Sequence, residues 1–127
     1  MIDHASIPVR DLAAAGSFYD LVLTQIGLTR LVTRNATIGY GKKYPEFWLN
    51  YRPDAAPVEN PGGHICLRAP DAAAVRCFYA TALAQGAINA GEPGDRLAAM
   101  TTYFGAFILD PDGNKVEVVS FPKPTPG

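Results

Sequence analysis

The feature that most limits what this 127-residue chain can fold into is that it repeats itself. At a 60-residue offset His4 aligns with His64, Asp11 with Asp71, Ala13-Ala14 with Ala73-Ala74, Phe18-Tyr19 with Phe78-Tyr79, Leu23 with Leu83 and Gln25 with Gln85, eight identities in 22 positions without a gap. The physical pattern repeats with them. A duplicated unit buries its apolar face against its own copy, so the chain is read as two copies of one supersecondary unit.

Each copy opens with a period-two alternation, Ile2 to Val9 and His64 to Ala69, the signature of a half-buried strand. Asp11 and Asp71 follow as N-caps. Leu12, Ala15, Tyr19, Val22 and Ile26 then recur at helical spacing, as do Ala72, Val75, Tyr79 and Ala82, with Gly27 and Gly86 as stops. Strand character returns at Thr29 to Thr33, Ala36 to Tyr40 and Glu46 to Tyr51, and again at Ala87 to Ala90, Tyr103 to Leu109 and Lys115 to Phe121. Each unit reads βαβββ. The expected organisation is one domain: a first module over about 1–53, a Pro/Gly-punctuated linker over about 54–62, a second module over about 63–121 and a frayed tail over 122–127. Asn89 to Thr102, with Gly91, Pro93 and Gly94, reads as a long surface loop that either covers a site or is simply mobile.

Composition sets bounds. Eleven basic against 12 acidic residues leave a net charge of −1, with the cations scattered, so neither a nucleic acid nor an anionic membrane is an expected partner. The N-terminus has no basic stretch followed by an apolar one, and no run approaches about 18 apolar residues, so a cytoplasmic location is expected. Two cysteines, Cys66 and Cys77, are too few for a disulfide framework and are read as reduced thiols.

Alternation puts His4 and Ser6 on one face of the first strand and His64, Cys66 and Arg68 on the matching face of its mate. Glu117 stands on the corresponding face of the last strand, where a carboxylate without a partner is costly. If the two units pair by pseudo-twofold symmetry into an open barrel, both histidines face a shared cleft. His4, His64 and Glu117 then form a three-ligand site for a divalent metal, iron, manganese, nickel or zinc, with open positions for water or substrate. The plainer alternative makes the histidines satisfied rim residues and leaves Glu117 solvated or paired with Arg68. Phe18-Tyr19 and Phe78-Tyr79 sit on the apolar helix stripes and are read as core. Trp48 either walls the cleft or fills it, Tyr40, Tyr103 and Arg68 are candidates for orienting substrate, and Cys66 is a nucleophile, an extra ligand or, as most strand cysteines are, a small buried hydrophobe.

Ile2-Asp3-His4, Asp11-Leu12, Phe18-Tyr19, Glu46-Phe47-Trp48, Gly63-His64 and above all Asp110-Pro111-Asp112-Gly113-Asn114-Lys115-Val116-Glu117 resemble the vicinal oxygen chelate superfamily, the glyoxalase / bleomycin resistance protein / extradiol dioxygenase group. The resemblance spans nearly the whole chain. It implies an α+β fold of two tandem βαβββ modules forming an open, incomplete β-barrel cleft, the glyoxalase/bleomycin resistance/dihydroxybiphenyl dioxygenase fold. It also implies a divalent metal on His4, His64 and Glu117, with Glu117 taking part in catalysis, and a homodimer. The substrate is then a small oxygen-chelating metabolite or xenobiotic, in a pocket shaped by Ser6, Trp48, Cys66, Arg68 and Tyr103. The named activities fit unequally. Pairing Pro53 with Pro122 puts Trp48 where a glyoxalase I has its fourth, acidic ligand, and Phe107 replaces the tyrosine that an extradiol dioxygenase or a fosfomycin-type thiol transferase carries. The alternative within the resemblance is a metal-free, drug-sequestering protein of the bleomycin-resistance type, whose groove is usually acidic.

Overall fold

The computed structural model describes residues 1–56, 62–98 and 100–122. Most of the expected linker, residues 57–61, and the tail beyond 122 lie outside these. In chain order the elements are β1 (Ala5–Val9), α1 (Leu12–Thr24), β2 (Thr29–Thr33), β3 (Thr37–Gly41), β4 (Phe47–Tyr51), β5 (Ile65–Arg68), α2 (Ala72–Ala84), β6 (Ile88–Leu97), β7 (Thr102–Leu109) and β8 (Lys115–Ser120). The order is βαβββ twice, as the repeat requires.

The helices begin where their caps dictate. Asp11 accepts from the Ala14 N–H at 2.9 Å and Asp71 from the Ala74 N–H at 2.8 Å, so each carboxylate satisfies an otherwise orphaned donor. Both stop at a glycine in the left-handed region, Gly27 at φ 85° and Gly86 at φ 99°. Each module then folds into its own four-stranded sheet, in the orders β1-β4-β3-β2 and β5-β8-β7-β6, with a parallel first pair and antiparallel pairs after it. α1 packs on the first sheet, α2 on the second, and the helices touch each other. Ile7, Val9, Tyr19, Leu23 and Phe47 of one module and Val75, Phe78, Ile108, Val116 and Val118 of the other belong to one continuous core.

Two expectations are corrected. The stretch from Asn89 to Thr102 is not a long loop: β6 runs to Leu97 and pairs with β7 through register shifts around Gly91 and Gly94. Glycine and proline suggested a break, but β6 is the outer strand of its sheet, where bulges and a missing donor are tolerated. The first strand begins at Ala5 rather than Ile2, which leaves His4 in the segment leading into it.

The Asp-Pro-Asp-Gly turn joins the two modules. Gly113, at φ 90°, closes it. Asp110 is buried and accepts four hydrogen bonds: from the Tyr19 hydroxyl at 2.6 Å, the Asp112 N–H at 2.9 Å, and the backbone and side-chain N–H of Asn114 at 2.8 and 3.1 Å. Asn114 Nδ2 also donates to the Pro8 carbonyl at 2.9 Å, and the Arg10 N–H donates to Asp112 at 2.9 Å, so the end of β1 is held by the turn before β8. Burial raises the Asp110 pKa above the ordinary carboxylate value, while the bonds from Tyr19 and Asn114 pull it back.

Candidate functional site

β8 alternates Val116 and Val118 into the core and turns Glu117 to the face of the sheet away from α2. There the register sets Glu117 between Cys66 of β5 and Phe107 of β7. Its side chain is only 7% exposed, so its charge needs partners, and it has them. His64 Nε2 lies 2.9 Å from Oε1 and the Tyr103 hydroxyl donates to Oε2 at 2.9 Å. An ionised carboxylate only accepts, so the His64 ring donates from Nε2. Phe107 sets its ring edgewise to His64, with centroids 5.4 Å apart. Burial and then the Glu117 charge push the Cys66 thiol up to about 12, and burial together with the bond to Glu117 raises the Tyr103 pKa.

His4 stands apart from this cluster. Its Nδ1 lies 2.8 Å from Asp3, and its side chain is 55% exposed. It does share an open hollow of about 570 Å³ with His64, Cys66, Asp3 and Glu46, at the leading ends of β1 and β5. Among the described residues, no group of three or more His, Cys, Asp or Glu side chains is gathered to hold a metal ion. Two of the three expected ligands therefore meet, and the third lines the hollow beside one of them.

The remaining expected residues fall on both sheets. Ser6 and Trp48 are register partners on the first sheet, just as Cys66 and Glu117 are on the second, so Trp48 does occupy the position equivalent to Glu117. The Trp48 ring lies over Gly39, with the Arg34 guanidinium 5.7 Å from its centroid. Arg68 does not pair with Glu117 but lies over Phe121, 4.7 Å from its centroid. Cys66 is exposed rather than a buried hydrophobe, because its face is the one turned away from the core. Tyr40 is not a substrate-orienting residue. It is fully buried, and its hydroxyl bonds Asp20 at 2.9 Å beneath α1.

Sequence reasoning did not single out three residues as part of the site. Arg96 and Lys115 both lie over the Phe107 ring, at 5.2 and 4.8 Å, and Phe121 bridges Arg68 to Tyr103, with the two rings 5.8 Å apart. Alternation from Glu117 would have found Lys115. Arg96 was hidden in the stretch read as a loop.

The fold is thus two βαβββ modules that share one core, with a histidine, a tyrosine and a buried glutamate joined on the second sheet. The sequence model of the Glyoxalase/Bleomycin resistance protein/Dioxygenase superfamily matches residues 1–118, and the chain belongs to that superfamily. Among solved structures, a glyoxalase/bleomycin resistance protein from Albidiferax ferrireducens T118 is 26% identical with a TM-score of 0.83, the match covering 94% of this chain and 98% of that one. A lactoylglutathione lyase from Agrobacterium tumefaciens is 25% identical with a TM-score of 0.64, over 94% and 92% of the two chains. A bleomycin-binding protein in complex with bleomycin shares the fold at 20% identity and a TM-score of 0.62, over 94% and 97%. No curated protein sequence matches the chain. No helix among the described residues is long and apolar enough to cross a membrane.

Proposed function

We propose that this protein is an enzyme of its superfamily that acts on a small oxygen-chelating metabolite or xenobiotic, at the second-sheet face carrying His64, Tyr103 and Glu117, with a divalent metal ion as cofactor. The observation that carries the reading is the buried Glu117 carboxylate on the sheet face turned away from α2, bonded to His64 and to Tyr103. Placing a charge there costs stability that an apolar residue would not, so a chemical use for it is the natural account. The donor set suits a divalent ion: two imidazoles lining one hollow, and a carboxylate bonded to one of them. His4, His64 and Glu117 would hold it, and the ion would supply a Lewis acid to substrate oxygens. The chain's own contribution is positional. Tyr103 fixes the carboxylate, and the carboxylate fixes the His64 ring. Trp48, at the equivalent position of the first sheet, supplies an aromatic wall. We propose a homodimer as the working form.

A metal-free ligand-binding protein is the second reading. Its support is that both Glu117 oxygens already have protein donors and that, among the described residues, no three-residue ligand group stands ready. Metal analysis of protein purified without chelator, with thermal melts in zinc, manganese and nickel, separates the two. The enzyme reading expects bound metal that is lost in His64→Ala, and a stabilisation by divalent ions that disappears in Glu117→Gln. Equal, negligible metal in both proteins, with no shift by any ion, overturns it.

A further inference from the structure

The second-sheet face carries more positive charge than its chemistry has used. Arg68, Arg96 and Lys115 stand on the strands of this sheet with Glu117, in a chain whose net charge is −1. Contacts run across the face without a gap: Arg68 over Phe121, Phe121 beside Tyr103, Tyr103 on Glu117, Glu117 on His64, His64 against Phe107, and Arg96 and Lys115 over Phe107. Among the described residues, none of the three cations forms a salt bridge, and the hydrogen bonds of Glu117 are taken by neighbours that are not these cations. Arg96 is held instead by carbonyls, from Nε to Gly105 at 3.3 Å and from a terminal nitrogen to Glu92 at 2.7 Å.

A cation resting on an aromatic face is attracted to the ring, which offsets part of the entropy of holding a long side chain still. It is thus already ordered when a ligand arrives, and ordering it is part of what binding otherwise costs. A guanidinium on a ring also keeps N–H donors in its own plane, and those donors suit a carboxylate or another planar oxyanion. Between Phe121 with its Arg68 and Phe107 with its Arg96 and Lys115 lies Tyr103, over whose ring no cation rests among the described residues.

We infer that the substrate is a small planar anion, an aromatic or enolic carboxylate or a like oxyanion, whose negative group is received by Arg68 or by Arg96 with Lys115 while its ring or π-system lies on Tyr103 between them. This rests on the reading that the second-sheet face is the site, and it names the substrate class that the face selects. It also sets the face against a cationic drug.

Salicylate and salicylamide test the idea, because they share shape and adjacent oxygens and differ in charge at neutral pH. Both are titrated calorimetrically into the protein at constant ionic strength, with and without EDTA. Salicylate is expected to bind at least about tenfold more tightly than salicylamide, and Arg68→Gln or Arg96→Gln to weaken it by about five- to tenfold. Arg34→Gln, which removes a ring-capping cation from the first sheet, is expected to leave salicylate binding unchanged. Arg68→Lys and Arg96→Lys, checked by circular dichroism, separate lost charge from lost folding. Equal binding of the two probes, an equal loss in Arg34→Gln, or no salicylate binding at all would overturn the inference. So would sedimentation showing that Arg68→Gln and Arg96→Gln abolish self-association, since a second copy then covers the face. Zinc binding without salicylate binding sinks this inference alone, and salicylate binding without metal binding sinks the metal reading alone.

Discussion

Removing one hydroxyl from the core tests how the two modules are joined. In Tyr19→Phe the ring keeps its contacts with Phe18 and Phe47, whose centroids lie 4.8 and 5.2 Å away, but Asp110 loses a 2.6 Å donor. Oδ2 is left with only the 3.1 Å bond from Asn114. Both groups are buried, so water does not replace the hydroxyl, and a hydrogen bond to a buried charge contributes about 2 kcal/mol. For a domain of this size that corresponds to a fall in Tm of roughly 6–10 °C. The loss depends on pH. The Asp110 pKa in the folded protein is raised above the ordinary 3.8, so the folded state holds its proton more tightly than the unfolded chain. Stability therefore falls as pH rises from that value through the raised one, and is regained on acidification. Tyr19→Phe removes an interaction that pulls the value down, so it raises it further and widens that window. The gap between wild type and variant should be about 2 kcal/mol at pH 7 and about 1 kcal/mol or less at pH 4, where a protonated carboxyl has less need of the hydroxyl. Urea unfolding at the two pH values measures it. A gap below about 0.5 kcal/mol at pH 7, or one that does not change with pH, refutes the argument.

A Cβ on Gly41 would stand 1.8 Å from the Tyr44 carbonyl oxygen, so Gly41→Ala should lower stability by about 3 kcal/mol, whereas Gly63→Ala, whose Cβ meets no described residue within 4 Å, should change it by less than about 0.5 kcal/mol in the same thermal melts. Cys66 is exposed, yet its thiol is pushed up to about 12, so in a Cys77→Ser background alkylation at pH 8 should run about 50-fold slower than that of a free thiol once the greater nucleophilicity of a basic thiolate is included. Glu117→Gln should recover only part of that rate, because burial is the larger cause. An alkylation rate matching a free thiol would contradict the placement of Cys66 beside the Glu117 carboxylate.

Much of the fold could be read from the chain because its signals are local. Asp11 and Asp71 cap helices, Gly27 and Gly86 end them, and the 60-residue offset pairs one module with the other. The misreadings came where position in the sheet overrides local preference. Gly91, Pro93 and Gly94 suggest a loop, but in an outer strand they form bulges, and Arg96 is carried onto the site face with them. His4 and His64 each stand one residue before β1 and β5, so strand alternation fixes neither ring: His64 turns to Glu117, His4 to Asp3. Alternation set Glu117 on the face of β8 away from the core, but neither the bond from His64 nor the role of Tyr103 followed from it. A tyrosine on β7 serves Glu117 on β8 only through their antiparallel partnership, and that is a register, which no single stretch of sequence states.

The clasp at Asp110 and Asn114 also makes the molecule directional. Its counterpart in the first half, the connection between β3 and β4, reads Lys42-Lys43-Tyr44-Pro45-Glu46 and offers neither the buried carboxylate nor the amide that reaches across to a neighbouring strand. The halves, alike enough to align, have become unequal: one grips and the other is gripped. Shuffling them, or doubling either, would therefore yield a chain with the right outline and an unfastened seam.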